Sequence, residues 1–216
     1  DLAKLNSRYL PLFRPQPEEG YIRLSTHNYM ANRYNEQELQ RLQTPAVSYR
    51  ATVEGNFPEY AYPTEATLVL KKGAQVMFVK NDAEKRFFNG MIGKVVEIDK
   101  EGFTVQPHNG QCHFIKVQPE TWENVKYVLD TEANEVKETV EGTFQQYPVK
   151  LAWAITIHKS QGLTFEHAII DAGFSFASGQ VYVALSRCKT LEGMVLASRI
   201  GSSSIFNDSR VTEYIS

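Results

Sequence analysis

From residue 151 to residue 189 the chain reads LAWAITIHKSQGLTFEHAIIDAGFSFASGQVYVALSRCK, and this stretch holds nearly all the side chains whose chemistry is hard to explain as packing. Thr156, His158, Lys159 and Ser160 bring two hydroxyls, an imidazole and an ammonium together, with Gln161 and Gly162 directly behind them. At spacings of three and four residues, Thr156, Lys159 and Ser160 would share one helical face, which is small, polar and cationic. Farther on, Gln180 and Arg187 stand seven residues apart. On residue type alone, an exposed arginine is usually just solvated, and a single histidine is more often structural than functional.

These side chains need elements to hold them. Residues 152–161 are ambiguous by period: Trp153, Ile155 and Ile157 alternate like a strand, while Leu151/Ile155 and Trp153/Ile157 also sit at i, i+4. Lys159 in a last turn and Gly162 just beyond it favour a short helix, because glycine accepts the left-handed conformation that closes helices. Residues 167–172, HAIIDA, form a short apolar run suited to a buried parallel strand. After the turn-rich GFSFASG, a helix is predicted from about Gly179, with Val181, Ala184, Leu185 and Cys188 as its buried stripe. Gln180 and Arg187 then lie off that stripe, so the helix holds one arginine outward beside a glutamine.

Two segments carry a resemblance. TIHKSQGLTF resembles motif V, and GQVYVALSR motif VI, of superfamily 1 helicases of the Pif-type and RecD-like group. The resemblance implies that Arg187 is the arginine finger that reaches the γ-phosphate of ATP, a role worth roughly 10³ to 10⁵ in rate. It places Thr156, His158, Lys159 and Ser160 near single-stranded DNA. Gln161 and Gly162 would couple that contact to the nucleotide cleft, with Gln180 beside it.

Upstream, three prolines in DLAKLNSRYLPLFRPQPEEG suggest that residues 1–20 are a linker or the end of a preceding domain. YIRLS then reads as a strand and THNYMANRYNEQELQRL as a helix, with Met30/Tyr34 and Leu39/Leu42 as its apolar side and Pro45 as its stop. In the resemblance this is the place of motif IV. Thr26 and Asn28 are then either a helix cap and a first-turn residue, or ligands of a DNA phosphate. VSYRATVEG is another strand, and the loop after it carries Tyr60 and Tyr62, which cover a core edge or stack on bases. From Leu70 the texture changes to short, evenly spaced β runs joined by glycine turns, the pattern of a small barrel. GAQVMFVKN and NGMIGKVV also resemble the Src-homology-3-like barrel inserted in this helicase group, which implies a place beside the nucleic-acid channel. Lys80, Lys85 and Arg86 are its candidate phosphate contacts, with a solvated lysine-rich hairpin as the plainer reading. Residues 120–147 read as a long acidic hairpin turning at TEAN. The chain would end in a serine linker and a helix packed through Val211, Tyr214 and Ile215.

Composition bounds these readings. The chain has 216 residues, 42% of them hydrophobic, with 23 Lys and Arg against 25 Asp and Glu. A net charge of −2 does not advertise nucleic-acid binding, although a local basic surface is compatible with it. Cys112 and Cys188 fit a reduced, cytoplasmic protein. His108, Cys112 and His113 lack a fourth ligand at convincing spacing, so no metal site is expected. No apolar run could span a bilayer, and no membrane partner is expected.

There is no G-x-x-x-x-G-K-[ST], so the phosphate cradle of a P-loop ATPase is absent from these residues. The expected fold is α/β: a RecA-like parallel sheet over residues 21–70 and 148–216, without a Walker A motif, and an inserted β-barrel over residues 71–147. The expected function is the second motor domain of an ATP-dependent DNA helicase. Its partners would be single-stranded DNA and a first RecA-like domain that binds ATP and holds Mg²⁺; alone it would be inactive, and a chain opening on Asp1 hints at an excised piece. The competing reading is a non-catalytic nucleic-acid-binding or docking module that kept the motor fold. A recombinase-like or RNA-directed relative is a third.

Overall fold

A computed structural model describes residues 2–108, 113–130, 135–171 and 179–201. In chain order the elements are α1 (Leu2–Asn6), β1 (Ile22–Ser25), α2 (Asn28–Arg41), β2 (Ala46–Arg50), β3 (Thr52–Gly55), β4 (Thr67–Lys71), β5 (Gln75–Phe78), β6 (Ile92–Ile98) and β7 (Phe103–Pro107). They continue with β8 (Ile115–Val117), β9 (Glu120–Asp130), β10 (Glu135–Gln146), β11 (Val149–Leu151), β12 (Ala154–Thr156), β13 (Ala168–Ile170), α3 (Gln180–Leu185) and β14 (Met194–Leu196). The chain divides into two compact units, residues 1–41 with 152–216, and residues 42–151.

The first unit is built on a four-stranded parallel sheet in the order β12-β1-β13-β14. Strands β12, β13 and β14 are buried at every position, as expected where a parallel sheet is covered on both faces. Ile22, Leu24, Ile170 and Leu196 are fully buried in it. The expected strand at 167–172 and helix near Gly179 are both present, and Gly179 caps α3 at φ +84°. Of the predicted stripe, Val181 and Ala184 are buried and Leu185 and Cys188 are half-buried. Burial pushes the Cys188 thiol up to about 11.

Three expectations change here. Residues 154–156 are a strand, not a helix: Arg23, Leu24 and Ser25 of β1 pair in parallel with Ala154, Ile155 and Thr156. Only a single 3-10 turn, His158–Ser160, follows. Of the predicted apolar side of α2, Met30 is 41% exposed while Tyr34, Leu39 and Leu42 are half-buried, and the positions the helix buries are Ala31 and Asn35. The opening segment is no linker along its first ten residues, because it lengthens the sheet. Tyr9 bridges Leu196 in parallel, Leu10 N–H donates to Leu196 O at 3.0 Å, and the Arg8 guanidinium donates to the carbonyls of Met194 and Glu192.

The second unit is antiparallel. Its main sheet has the order β11-β5-β6-β7-β8. This meander curls but stays open, with β11 and β8 at its edges, so the closed barrel expected from the strand spacing is not formed by the described residues. Gly93 lets β7 pass close: a Cβ there would lie 2.4 Å from Val105 Cγ1 and 2.8 Å from Gln106 O. The acidic hairpin is present as β9 and β10, and β3 pairs with β10 alongside it. The 47–55 strand is two strands, since β2 pairs with β4 rather than with β10. The sequence places residues 42–70 with the parallel sheet, whereas they belong to this unit. Tyr49 on β2 explains why: its hydroxyl reaches the carbonyls of Asp99 and Gly102, and its ring packs on Phe103 and Tyr147.

Tyr62 packs on Phe144 at 4.5 Å between centroids, whereas Tyr60 is 93% exposed. Among the described residues, no helix is long and apolar enough to cross a membrane. The TEAN turn, Cys112, Ala172 with the GFSFASG stretch as far as Ser178, and the serine linker and terminal helix lie outside the described residues.

Candidate nucleic-acid and nucleotide surfaces

Strands β1 and β12 run side by side in one direction, so the segments that follow them emerge together at the carboxyl edge of the sheet. Ser25 is level with Thr156, and Ile157 N–H donates to Ser25 O at 2.9 Å. In open parallel α/β sheets this edge is where ligands bind.

Thr156 and Ser160 face inward. Thr156 is 3% exposed, and its Oγ1 accepts from Lys159 N–H; Ser160 is fully buried and donates its hydroxyl to Ile157 O at 2.6 Å. Their hydroxyls shape the turn from within rather than present a surface, which leaves His158 and Lys159 as its exposed side chains. Gln161 and Gly162 are exposed as well, and Gly162 sits at φ +79°, a conformation that costs a side-chain-bearing residue about 1 kcal/mol or more.

Beside this turn, Thr26 is half-buried and Asn28 exposed at the head of α2. The Thr26 hydroxyl and His27 Nδ1 share a hydrogen bond at 2.7 Å, and Ala31 N–H reaches the His27 carbonyl. That last bond is the first i→i−4 bond of the helix, with His27 as the residue before its first turn. The His27 ring tilts against Tyr29 at 5.6 Å, and Tyr29 is 68% exposed. This aromatic pair was not singled out by spacing. Its signal in the sequence is an apolar ring on the side of α2 that faces away from Ala31 and Asn35.

Arg187 follows α3 and folds back on it. Nε donates to Val183 O at 3.1 Å, Nη1 to Leu163 O at 3.2 Å and Nη2 to Ser186 Oγ at 2.9 Å. Leu163 is the residue after Gly162, so the guanidinium touches the turn that carries Lys159. The backbone repeats the link: Phe165 N–H donates to Arg187 O, and Lys189 N–H donates to Phe165 O. Gln180 opens α3 and is half-buried. The structure therefore joins Leu163, at the end of the 156–163 turn, to Arg187 by a direct hydrogen bond, a connection the sequence does not reveal.

In the second unit, Lys80 and Arg86 are committed to their own fold. Lys80 Nζ donates to Glu120 Oε2 at 2.8 Å and Thr121 O at 3.0 Å, and lies 5.1 Å from the centre of the Trp122 ring. Arg86 donates Nε and Nη2 to the two oxygens of Asp82, whose Oδ2 also accepts Arg86 N–H. Both cations are thus paired with carboxylates of their own unit, while the Arg86 side chain stays 44% and the Lys80 side chain 32% exposed. Lys85, between them in sequence, is exposed at φ +61°.

The Arg86 hydrogen bonds hold the Asp82 carboxyl at about 2, against 3.8 ordinarily. A depressed carboxylate stabilises fully above its unfolded value and loses that contribution as pH falls through the folded one. Stability supplied by this clamp should therefore be complete above about pH 4 and disappear towards pH 2. Thermal midpoints of Asp82→Asn and the unaltered chain, taken from pH 7 to pH 2, are expected to converge as the pH drops. Parallel curves would remove the clamp from the account.

The profile of the UvrD-like helicase C-terminal domain matches residues 151–195, which span both the turn and Arg187. An ATP-dependent DNA helicase Pif1 from Psychrobacter is 33% identical over 224 aligned positions, covering 81% of this chain and 33% of its own length. Unliganded Pif1 from Bacteroides superposes with a TM-score of 0.89 at 36% identity, over 99% of this chain and 49% of that one. Bacteroides Pif1 in complex with ADP-AlF3 and single-stranded DNA superposes with a TM-score of 0.75 at 36% identity, over 99% of this chain and 48% of that one. The chain spans about a third of the length of this curated relative and about half of these solved chains.

Proposed function

This chain belongs to the Pif1-type helicases, matching their carboxyl-terminal portion, and from that premise we propose that it is the second motor domain of an ATP-dependent DNA helicase. The observation that carries the reading is the link between two surfaces: exposed His158 and Lys159 stand on a turn whose next carbonyl, Leu163 O, is held by Arg187.

In this reading a single DNA strand crosses the carboxyl edge of the parallel sheet. Lys159 contacts a phosphate as a point charge, with His158, Thr26 and Asn28 beside it, and His27 and Tyr29 offer rings for a base. Thr156 and Ser160 act through the shape of the turn. Gln161 and Gly162 pass movement of the turn to Arg187, the arginine finger, which stabilises charge developing on the γ-phosphate. Gln180 borders the same cleft. ATP would be held chiefly by a first RecA-like domain, whose Walker A loop and Mg²⁺ site this sequence does not contain. The second unit is read as the Src-homology-3-like insert of such helicases. Without the first domain, this chain is expected not to hydrolyse ATP.

Lys159→Ala tests the strand surface. If Lys159 neutralises one phosphate, the variant should bind oligothymidylate about tenfold more weakly, whatever the sequence of the strand. The slope of log affinity against log salt should also fall by about 0.7. An unchanged slope would show that the strand does not meet this turn.

A further inference from the structure

Strand β12 borders the sheet and has β1 on one side only. Its groups facing β1 are fixed: Trp153 O accepts from Arg23 N–H at 2.8 Å, and Ile157 N–H donates to Ser25 O at 2.9 Å. Peptide groups alternate along a strand, so the N–H and C=O of Ala154 point away from β1, out of the sheet edge. Bare edge groups recruit water or a foreign strand. Here Asn35 meets both: its Oδ1 accepts from Ala154 N–H at 2.7 Å, and its Nδ2 donates to Ala154 O at 2.8 Å. Asn35 is 8% exposed and comes from the middle of α2, 119 residues away in sequence. The carboxamide stands where the next strand's peptide would stand.

We propose that Asn35 is a positioning residue that locks helix α2 to strand β12, so that Asn28 at the head of the helix and Lys159 beyond the strand are presented to one nucleic-acid strand at a fixed spacing. This rests on the reading of that edge as a single-strand surface. The chemistry explains the residue. A carboxamide carries a donor and an acceptor at the separation of a peptide's own groups, which a carboxylate does not. Asparagine is a weak helix former, so propensity gives no reason for it in mid-helix. Asn28 lies seven residues before Asn35, two turns along the helix, and Lys159 lies five residues after Ala154. One rigid pair of hydrogen bonds therefore sets the offset between the two contact segments.

The test is a double-mutant cycle on the 216-residue chain, read as affinity for fluorescent oligothymidylate. Asn35→Asp keeps the shape and the acceptor for Ala154 N–H but removes the donor. It should weaken binding about fivefold, and Lys159→Ala about tenfold. If Asn35 acts by placing Lys159, the double variant should be about tenfold weaker, not about fiftyfold. Protection of the Ala154 amide from hydrogen exchange checks that Asn35→Asp remains folded with that bond intact. Asn35→Leu, which removes both bonds, is expected to lose the protection and weaken binding further. Multiplying effects, or a folded Asn35→Asp that binds like the unaltered chain while Lys159→Ala is weakened, would overturn the positioning role alone. No effect of Lys159→Ala would overturn the single-strand reading and this inference with it.

Discussion

Arg187→Ala in the full-length protein is expected to lower single-strand-stimulated ATP hydrolysis by about 10³-fold or more while leaving strand affinity within about twofold. The expectation follows from where the side chain sits. Its guanidinium rests on the carbonyls of Val183 and Leu163 and on Ser186 Oγ, all acceptors that water can serve once the group is gone. The Phe165 N–H to Arg187 O bond is made by the backbone and survives the substitution. The turn carrying Lys159 should therefore keep its form, and the loss should fall on kcat. Arg187→Lys separates charge from geometry. An ammonium restores the charge but cannot present a planar fork to phosphate oxygens, so most of the deficit should remain. Stimulated hydrolysis retained in Arg187→Ala would end its assignment as the finger. No hydrolysis even in the unaltered protein, with strand binding intact, would favour the non-catalytic module.

How far the sequence announces this arrangement depends on where each element's partners lie. Strand β13 and helix α3 are legible because an isoleucine-rich run and an i, i+3, i+4 stripe are local patterns. Strand β12 is not: three buried residues fit either period, and what makes them a strand is β1, about 130 residues earlier. Lysine and arginine are visible as charge, but their availability is not. Arg86 pairs with Asp82 across a non-helical turn and Lys80 with Glu120, forty residues away, so neither pairing follows from a helical or strand period. Alternation gives the strands of the insert, yet whether a sheet closes depends on the pairing of its edges, which alternation does not encode. Asn35 is the extreme case. Its two bonds to Ala154 cross 119 residues, and nothing in the helix around it marks them.

The largest stability effect should come from Phe144→Ala, and it tells which unit carries the strand surface. Phe144 is fully buried in β10, with the rings of Tyr62, Phe57 and Trp122 at 4.5, 5.7 and 6.0 Å. Truncating such a ring leaves a cavity that the three remaining aromatic side chains cannot refill, at a cost of about 3–5 kcal/mol. The two tryptophans report separately, because Trp122 belongs to the unit of residues 42–151 and Trp153 to the other. With Trp153→Phe as background, the urea transition seen by Trp122 should shift to lower denaturant in Phe144→Ala. With Trp122→Phe as background, the transition seen by Trp153 should stay where it was. Each unit has its own buried core, Leu24 and Ile170 in one, Phe78 and Val95 in the other. Oligothymidylate affinity measured between the two transitions should then persist, because His158 and Lys159 stand on the parallel sheet. Should both tryptophans report one shifted transition, the units fold as a single cooperative body; should affinity vanish with the Trp122 transition, the insert supplies the principal contacts.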